Sequence, residues 1–359
     1  MKDKLDKTLW KKVKFGNYVK HVSDRVIPNR EDSATYIGLE HMERDITEVR
    51  RWGTDIDLIG TKLRIKKGDV LLARRNPYLR RVQRSPHEGI FSAHGMVLRS
   101  KSVELNQEFL LRFMQSELFW DGLDRIAVGS LSKTINWGDI AKYEFLLPPI
   151  QQQLEIVQLL LDFENSTHSL LMLDKSLNDL LNQTIQEEIA RCDSFKLLPE
   201  VAKVLDSQRV PINSSERNLR QGDVPYYGAG GQVGWIDHAI FDEDLVLVGE
   251  DATLDVYRIY GRSWVNNHAH VLRPTSLSQD WLYYVLSRMN LKSIATNGTR
   301  LKLTQAALNV IEIPMPTNEA SALDNIRVVE RSIASNLDVM KSEKLLLSRI
   351  RFALFGGKI

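Results

Sequence analysis

The chain consists of two similar halves, and this internal repeat restricts the possible folds more than any other feature of the sequence. Three segments of the first half recur in the same order in the second half. Each match alone is weak, but three in one order indicate two copies of one structural plan. The matched segments are 92–99 with 266–273, 129–133 with 298–302, and the apolar runs 143–149 and 311–316, which both end in proline.

Each half begins with short strand-like runs and ends with a long helical segment. Apolar runs such as 69–73 and 245–248 are separated by Pro and Gly, most densely at 226–231, which is typical of strands joined by tight turns. Neither Gly nor Pro occurs at 150–191 or at 319–354. We therefore expect one long helix over each of these two segments.

Both helical segments are too long to be covered by one globular domain. A helix of about 40 residues is about 60 Å long, and a narrow apolar stripe along it needs a partner of similar length. We expect the two helices to form an antiparallel coiled pair; the alternative is that each packs on its own domain. The residues expected at the helix pair or at a subunit interface are Leu154, Val157, Leu161, Leu323, Ile326, Ile333, Leu337 and Met340.

The overall composition excludes several classes of protein. The 359 residues are too many for one ordinary core, and the single cysteine, Cys192, excludes an internal disulfide and a cysteine-rich metal site. No run approaches the roughly eighteen apolar residues of a membrane span, and residues 1–15 lack the apolar core of an export signal. These features predict a protein of the reducing cytoplasm.

Positive charge is concentrated in residues 62–84. This segment contains nine Lys and Arg residues and one acidic residue, Asp69, although the net charge of the whole chain is only +2. Such a local excess favours contact with a phosphate backbone. The alternative is a solvated surface whose charge is balanced by nearby acids such as Glu48, Asp55 and Asp57.

The sequence lacks the motifs of common enzymes that act on nucleic acids. Gly357-Lys358 has no upstream glycine and is not a Walker A motif. Pro148-Pro149 lacks the flanking residues of an amino-methyltransferase loop, and no lysine follows an acidic residue at the two-residue spacing of common metal-dependent nucleases. We therefore expect no catalytic residue in this chain.

Three further clusters could suggest ligand chemistry, but each has a simpler explanation. The glycines at 228–234 do not have the spacing of a nucleotide-binding loop and predict a turn between strands. His268 and His270 could share one face of a strand, but no third ligand lies at a convincing spacing, so we expect no metal. The acidic residues within 250–255 could bind a cation, although such groups more often cap turns or repel phosphate.

With these features in place, the sequence resembles the specificity subunits of type I restriction-modification systems over essentially its whole length. The first half resembles one class of target-recognition domain, the second half another, and the proline junctions and C-terminus resemble the boundaries of the family's spacer helices. The sequence departs from the family pattern at 316–319, which leaves the start of the second helix open. The segments that carry the resemblance are 36–41, 67–71, 75–80, 225–228, 248–251, 264–272, 147–149, 313–316 and 354–359.

The resemblance implies an α+β fold in which two similar target-recognition domains, mainly β-sheet, are separated by two long antiparallel coiled-coil helices and form a pseudo-two-fold repeat. We accordingly expect recognition domains at 1–149 and 193–317. The central spacer helix is expected at 150–192, and the C-terminal spacer helix at 318–359.

The resemblance also implies the function and the partners. Each domain would read one half of a bipartite, asymmetric site in double-stranded DNA, while two methyltransferase subunits and the restriction subunits join the complex. The methyl donor and ATP would belong to those partners, and this chain would bind no cofactor. Two alternatives stay open: a stand-alone DNA-binding regulator or decoy on the same scaffold, and a coiled-coil adaptor that binds only protein.

Side-chain chemistry selects candidate DNA contacts. Arginine suits bidentate reading of guanine, asparagine and glutamine suit adenine, and lysine suits phosphate. Structural roles are alternatives for Asn266 and Asn267, and partial burial is favoured for Tyr226 and Tyr227. The candidates are Lys62, Arg64, Lys66, Lys67, Arg74, Arg75, Asn76, Tyr78, Arg80, Arg81, Arg84, Lys133, Tyr226, Tyr227, Gln232, Asn266, Asn267, His268, Arg300 and Lys302, with Lys133 and Lys302 at matching positions of the repeat.

Overall fold

Two units make up the chain. Its structure, a computed structural model, describes residues 7–55, 57–129, 133–251, 253–297 and 301–356. Unit 1 comprises Met1–Leu170 together with Val339–Ile359, and unit 2 comprises Leu171–Asp338. The division falls within the two long helices, so the domain boundaries expected from the sequence stay a prediction.

Unit 1 contains ten strands and, besides short 3-10 helices, four short α-helices in its described part, followed by the first long helix. The strands are β1 (Lys11–Lys14), β2 (Val19–Val22), β3 (Arg25–Val26), β4 (Tyr36–Ile37), β5 (Lys62–Ile65), β6 (Val70–Ala73), β7 (Val82–Arg84), β8 (Gly89–Phe91), β9 (Gly95–Ser100) and β10 (Glu144–Leu147). The helices are α1 (Phe15–Tyr18), α2 (Gln107–Met114), α3 (Glu117–Ile126), α4 (Trp137–Ile140) and the long α5 (Ile150–Ala190).

The strands of unit 1 form two four-stranded sheets and a separate pair. The first sheet has the order β2-β9-β6-β7 and is antiparallel, and β1 pairs with β10. The second sheet has the order β3-β5-β8-β4, in which β4 and β8 are parallel. The side chains of β6 are all buried, which explains its continuous apolar run.

Unit 2 contains a similar set of elements in its described part. The strands are β11 (Ser194–Leu197), β12 (Ala202–Val204), β13 (Val224–Gly228), β14 (Gly231–Ile236), β15 (Phe241–Asp242), β16 (Leu245–Gly249), β17 (Val256–Ile259), β18 (Arg262–Val265), β19 (Ala269–Pro274), β20 (Thr296–Asn297), β21 (Leu301–Lys302) and β22 (Glu312–Met315). The helices are α6 (Leu198–Val201), α7 (Ser214–Leu219), α8 (Gln279–Arg288), α9 (Gln305–Asn309) and the long α10 (Glu319–Phe355).

The sheets of unit 2 repeat the plan of unit 1. The first sheet, β12-β19-β16-β17, matches β2-β9-β6-β7 strand for strand, and β11 pairs with β22 as β1 pairs with β10. In the second sheet, β14-β13-β18-β15, the parallel pair of β13 and β18 corresponds to that of β4 and β8. The α+β fold with an internal repeat is therefore confirmed.

One local arrangement anchors a helix to the first sheet in both units. Gln107, at the start of α2, donates its side-chain amide to the carbonyls of Gly68 and Leu98 at 3.3 and 3.2 Å. Gln279, at the start of α8, donates to the carbonyls of Leu245 and Ile259, both at 2.8 Å, so each glutamine binds near the start of the matching strand, β6 or β16, and also a neighbouring strand, which is β9 in unit 1 and β17 in unit 2. Neither glutamine belongs to the sequence matches, so the repeat is deeper than those matches indicate.

The acid that follows each of these glutamines pairs with an arginine on the edge strand. Glu108 accepts a hydrogen bond from Arg84 of β7 at 2.9 Å, and Asp280 accepts one from Arg258 of β17. Both arginines are partly buried, and an ion pair that is partly withdrawn from water is stronger than one on the surface. Arg84 therefore serves the scaffold, although it lies in the basic segment of the sequence.

The two long helices run antiparallel. Within unit 1, Ile156 and Leu160 of α5 share an apolar cluster with Ile350 and Leu354 of α10, and farther along α5 the hydroxyl of Thr167 donates to Glu343 at 3.2 Å. Sequence numbers thus rise along α5 while they fall along α10. Within unit 2, the later part of α5 joins the early part of α10 in a second cluster that includes Ile185, Leu323 and Ile326.

The apolar stripe differs from the expected one at two residues. Val157, Leu323 and Ile326 are buried as expected, and Leu161, Ile333 and Met340 are partly buried. Leu154 and Leu337, in contrast, are 45% and 41% exposed. They therefore lie outside the buried part of the stripe, because a regular 3.5-residue count drifts around a helix of 3.6 residues per turn, and their contact with the partner helix stays a prediction. Their role at a subunit interface stays a prediction.

The start of α10 is now defined. Asn318 caps the helix, because its side chain accepts from the backbone amide of Ser321 at 3.1 Å, and Glu319 accepts from the backbone amide of Ser278 at 2.8 Å. In unit 1 the corresponding cap amide, that of Asn106, donates to Gln153 of α5 at 2.9 Å. Glu319 therefore accepts the cap amide of α8 as Gln153 accepts that of α2, although the sequence at 316–319 departs from the family pattern.

These packing differences predict unequal effects of two substitutions in one helix. Ile326 is fully buried and Leu337 is exposed, so we expect Ile326→Ala to lower the free energy of unfolding by about 2–5 kcal/mol. Leu337→Ala, the control on the same helix, should change it by less than about 0.5 kcal/mol. Urea titration of both variants measures the difference, and equal losses would mean that Leu337 is as deeply packed as Ile326.

Candidate nucleic-acid interface

Arg74 and Arg75 directly follow β6, and backbone hydrogen bonds hold their main chain in place. The amide of Arg74 donates to the carbonyl of His94 at 3.3 Å, and its carbonyl accepts from Ile135 at 3.0 Å. Arg75 then forms a β-bridge with Thr134. Because backbone bonds hold the residue on both sides, the two guanidinium groups project from a rigid strand end.

Three cations surround the turn between β8 and β9. Burial lowers the pKa of His94 in that turn, and the positive charges of Arg75, Arg74 and Lys62 lower it further. The His94 imidazole is therefore neutral near pH 7. Of these cations, Lys62 donates its ammonium to the carbonyls of Ile59 and Gly60 at 2.6 and 3.1 Å.

A second histidine extends this positive region. Burial lowers the pKa of His21 on β2, and the charges of Arg74 and Arg25 add to the effect. No acid in the described part of the chain forms a salt bridge with either arginine. The same holds for Arg75 and for Lys133, whose carbonyl accepts from the amide of Asn76 at 3.0 Å. We call this group of side chains the cationic end of unit 1: Arg25, Lys62, Arg74, Arg75 and Lys133.

The loop that follows Arg75 has an unusual backbone. Asn76 and Arg80 both adopt the left-handed conformation, with φ of 54° and 50°, and the short helix Pro77–Leu79 lies between them. Residues other than glycine rarely adopt this conformation, and it clusters at functional sites. The side chain of Tyr78, at the tip of the loop, is 66% exposed. The loop thus presents an aromatic ring beside the cationic end.

Other basic residues of 62–84 are engaged in the scaffold. Arg80 is bonded to Glu117 on α3 and lies 3.8 Å from Asp121, and Arg81 donates to the carbonyl of Leu39 at 2.7 Å. Arg84 binds Glu48 as well as its partner on α2. These arginines fix loops and helices, so their availability to an external ligand is smaller than the sequence suggests.

The remaining basic residues of this segment lie away from the cationic end or are weakly paired. Lys66 and Lys67 are exposed in the turn before β6, whereas Arg74 follows β6, so the four residues of the strand, about 13 Å, separate them. Arg64 is exposed on β5, with its nearest acid, Asp24, at 3.9 Å. The structure therefore brings together only part of the basic segment.

Unit 2 carries Glu250 and Asp251 at the position of Arg74 and Arg75. The amide of Glu250 donates to the carbonyl of His268 at 2.8 Å, and its carbonyl accepts from Leu303 at 2.8 Å. Asp251 forms a β-bridge with Lys302. These are the same three backbone links as in unit 1, so one structural position carries two arginines in one unit and two acids in the other.

The backbone links also correct one detail of the repeat. We call β6 of unit 1 and β16 of unit 2 the central strand of each unit. Thr134 and Lys302 occupy the same position, since each forms the β-bridge to the second residue after the central strand. Lys133 and Lys302, which the sequence comparison places at matching positions, are therefore offset by one residue. Arg300 lies outside the described residues.

A buried histidine lies beside the two acids of unit 2. His270 of β19 is 2% exposed, and its Nε2 lies 2.8 Å from the carbonyl oxygen of Leu303. Its Nδ1 lies 2.5 Å from a carboxylate oxygen of Asp206, whose other oxygen accepts from the amide of Val271. Both ring neighbours are acceptors, which favours the doubly protonated ring. Burial opposes the charge, but the bonds to Asp206 and Leu303 outweigh it and raise the pKa of His270.

Glu250 is neutralised by two cations. Its carboxylate lies 2.9 Å from a guanidinium nitrogen of Arg209 and 3.0 Å from the ammonium of Lys302. Burial raises the pKa of Glu250, but these two hydrogen bonds outweigh the effect, so its pKa is lowered. Arg209 also donates to the carbonyl of Ala269 at 2.8 Å and therefore ties Glu250 to the start of β19.

The turn between β18 and β19 completes this arrangement. The Nδ1 of His268 lies 3.1 Å from a carboxylate oxygen of Asp251, and Asn266 accepts from the backbone amide of His268 at 2.8 Å. Asn267 is exposed in the same turn. We call the following residues the charge network of unit 2: Asp206, Arg209, Glu250, Asp251, His268, His270 and Lys302.

The remaining candidates of unit 2 lie on the hairpin of β13 and β14. Tyr226 is 1% exposed beneath the guanidinium of Arg217, and Tyr227 is partly buried. Partial burial therefore describes Tyr227, whereas Tyr226 is fully enclosed in the core. Gln232 is exposed on β14, and its amide donates to the carbonyl of Gly234 at 3.2 Å.

Sequence reasoning did not select several residues of these two sites. Arg25, His21 and His94 of unit 1 and Asp206 and Arg209 of unit 2 lie far along the chain from the arginine or acid pair that they surround. The aligned histidines, His94 and His268, were the available signal, because they mark the turn beside both strand ends. Strand register was needed to place the pairs beside that turn.

The described ranges contain no group of three or more His, Cys, Asp or Glu side chains suited to hold a metal ion. Among the helices in the same ranges, none is both long enough and apolar enough to cross a membrane.

The chain matches a known family model over most of its length. The family is described as the type I restriction modification DNA specificity domain, and the matches cover residues 59–181 and 194–344. One match lies in each half, in agreement with the repeated fold. The chain therefore belongs to the type I restriction-modification DNA specificity family.

Individual relatives are similar over shorter stretches. A protein of Haemophilus influenzae named as a type I restriction enzyme specificity subunit is 35% identical over 143 residues, and the specificity subunit of the type I restriction enzyme EcoprrI of Escherichia coli is 26% identical over 147 residues. Each match covers 38% of this chain and 37% of the relative. The chain thus matches little more than a third of the length of these relatives.

Solved structures share the fold over nearly the whole chain. The S subunit from M. genitalium superposes with a TM-score of 0.54 at 14% identity, and the HsdS subunit from Thermoanaerobacter tengcongensis with 0.54 at 18%. A chain from a structure of complex assembly in the type I system reaches 0.66 at 17%. Each comparison covers at least 97% of both chains, and together they support the fold.

The buried imidazolium of unit 2 predicts a pH-dependent stability. The pKa of His270 is raised in the folded chain above its ordinary value of about 6.5. Its stabilising contribution is therefore fully present below about pH 6.5 and is lost as the pH rises through the folded pKa, with a slope of up to about 1.4 kcal/mol per pH unit.

Urea unfolding between about pH 6 and pH 9 measures this slope. His270→Met, which introduces the residue found at the matching Met96 of unit 1, should reduce the pH dependence, because the imidazole is removed. A wild-type slope retained by His270→Met would assign the titration to another group.

Proposed function

We propose that this chain is the specificity subunit of a type I restriction-modification complex and binds double-stranded DNA through both of its units. Each unit reads one half of a bipartite, asymmetric target. The observation that carries the proposal is the matched strand end, which bears Arg74 and Arg75 in unit 1 and Glu250 and Asp251 in unit 2. One fold used twice gives two readers, and different side chains at one position give two different half-sites.

The cationic end of unit 1 has the chemistry of a DNA contact. Arginine guanidinium groups without acid partners attract phosphate, and each phosphate contact releases counterions. The same group can donate two hydrogen bonds to the O6 and N7 of guanine, provided that it projects from a rigid position. The backbone bonds of Arg74 supply this rigidity, and the exposed ring of Tyr78 adds a surface for stacking or hydrogen bonding.

The long helices supply a surface for protein partners. Apolar side chains stay exposed on both helices within their own units, and contiguous exposed apolar surface is typical of protein contact sites. In this proposal the helices dock two methyltransferase subunits, and restriction subunits join that core. The exposed residues include Leu171, Met172 and Leu173 in unit 2 and Val339, Leu345 and Leu346 in unit 1.

In the proposed complex this chain contributes recognition and no catalytic group. The methyl donor and ATP bind to the partner subunits, which carry out methylation and restriction. The family match supports a role in specificity, and the described residues offer charged strand ends whose basic and acidic groups suit binding rather than covalent chemistry.

The proposal predicts that two pairs of basic residues in one unit contribute unequally to binding. We expect Arg74→Ala together with Arg75→Ala to weaken binding to the half-site of unit 1. The slope of log affinity against log salt should fall by about 0.9 for each arginine that contacts phosphate, and an arginine that reads guanine should relax base preference by about 1–3 kcal/mol. Recognition of the other half-site should be unchanged.

Lys66→Ala together with Lys67→Ala is the matched control, because it removes the same charge at the opposite end of β6. Fluorescence anisotropy on labelled duplexes at several salt concentrations measures both pairs. We expect a much smaller loss for the lysine pair. Equal losses would show that only overall charge matters, and undiminished binding by the arginine pair would remove the cationic end from the interface.

A further inference from the structure

We propose that the second residue after the central strand, Arg75 in unit 1 and Asp251 in unit 2, determines base specificity, and that Asp251 accepts a hydrogen bond from the amino group of a cytosine. The inference rests on the proposed function, in which each unit reads DNA. It adds which residue of unit 2 distinguishes bases and which base it selects.

Backbone bonds establish that the two residues are equivalent. Arg75 follows Arg74, whose backbone is hydrogen-bonded to His94 and Ile135. Asp251 follows Glu250, whose backbone is hydrogen-bonded to His268 and Leu303. Each forms the β-bridge that comes next in this pattern. Since the backbone is held in the same way, the side chains leave from corresponding points of the two units and meet a ligand in the same manner.

The chemistry at this position is opposite in the two units. Guanine presents two acceptors in the major groove, which suit an arginine, whereas cytosine presents an amino donor, which suits a carboxylate. An acid at the position of an arginine therefore changes which base is favoured without any change in fold. A phosphate contact at this position is open to the arginine of unit 1 but not to the acid of unit 2.

Of the two acids, Asp251 is the one that can accept a hydrogen bond from a DNA base. Both oxygens of Glu250 are occupied by Arg209 and Lys302, and the Glu250 side chain is only 16% exposed. The Asp251 side chain is 35% exposed, and one oxygen, Oδ2, lies against His268. Its Oδ1 has no hydrogen-bond partner within the described residues. Glu250 is thus a positioning residue, and Asp251 keeps an acceptor open.

The charge network removes the electrostatic objection to an acid near DNA. A lone carboxylate would be repelled by phosphates, but the acids of the network lie among cations. Glu250 is paired with Arg209 and Lys302, and Asp206 with His270 and with Arg209. The network therefore carries little net negative charge, and Asp251 can approach a base edge at small cost.

Selection from a random duplex library tests the inference with the full chain bound to its methyltransferase partner. The samples are the wild type, Asp251→Asn and a control, Asp242→Asn. Asparagine has the shape of aspartate but suits adenine. Asp242 is an exposed aspartate on β15 of the same unit. It lies opposite Arg262 in the strand register, at the first residue of β18, whereas Asn266 follows the last residue of β18. Sequencing of the bound duplexes gives the base preference at every position.

We expect the wild type to select a two-part motif with a cytosine in the half read by unit 2. Asp251→Asn should lower the preference for cytosine at that one position by at least about fivefold, with adenine gaining, while the other half stays the same. Asp242→Asn should select the wild-type motif. A purely structural role for Asp251 would lower binding to all sequences alike, and that result would overturn the inference.

Two failures can be told apart. If the wild type selects a two-part motif and Asp251→Asn selects the same motif, the specificity role of Asp251 is wrong while the proposed function stands. If the wild type selects no motif at all, the proposed function fails, and the inference fails with it. Loss of partner binding by Asp251→Asn would also contradict the inference, because it would give the residue a role in assembly.

Discussion

Backbone hydrogen bonds hold Arg74 directly after β6 and Glu250 directly after β16, and both sites depend on this constraint, which we call the backbone clamp. In each unit, the first residue after that strand donates its amide to the turn before the neighbouring strand and accepts a bond from a segment far along the chain. Because the amide and the carbonyl are both occupied, this point of the chain has little freedom. The fold can therefore exchange the side chains there, Arg74 and Arg75 for Glu250 and Asp251, while their position stays fixed.

The charged groups around this clamp differ between the two units. In unit 1, Arg25, Arg74 and Arg75 form no salt bridge within the described residues and the nearby histidines are kept neutral, so positive charge remains available. Unit 2 surrounds its acids with cations, including a buried imidazolium that binds Asp206 and the carbonyl of Leu303. Met96, which is apolar, occupies the position of His270 in unit 1. The charge network is therefore linked to the acids of unit 2 and is not a general feature of the fold that both units share.

Much of the fold follows from the sequence, because long-range periodicity and repetition are visible there. The helices were expected at 150–191 and 319–354 and are found at Ile150–Ala190 and Glu319–Phe355. The packing along the helices was less predictable, because residue spacing alone does not fix which face of a helix meets its partner. Leu337, for example, fits the expected spacing but is exposed. The site was only partly predictable, since a list of basic residues does not show that Arg84 is paired with acids whereas Arg74 has no acid partner in the part of the chain that the structure describes. That distinction depends on contacts between distant segments.

Mapping of methylated bases in the DNA of cells that carry this chain tests the central claim most directly. The claim is that two units of one fold read two different half-sites for a shared methyltransferase. Sequencing that detects modified bases should reveal a single asymmetric motif with two specified parts and a gap of constant length. The motif should disappear when the gene for this chain is deleted. A continuous or palindromic motif, or one that persists after the deletion, would contradict the account.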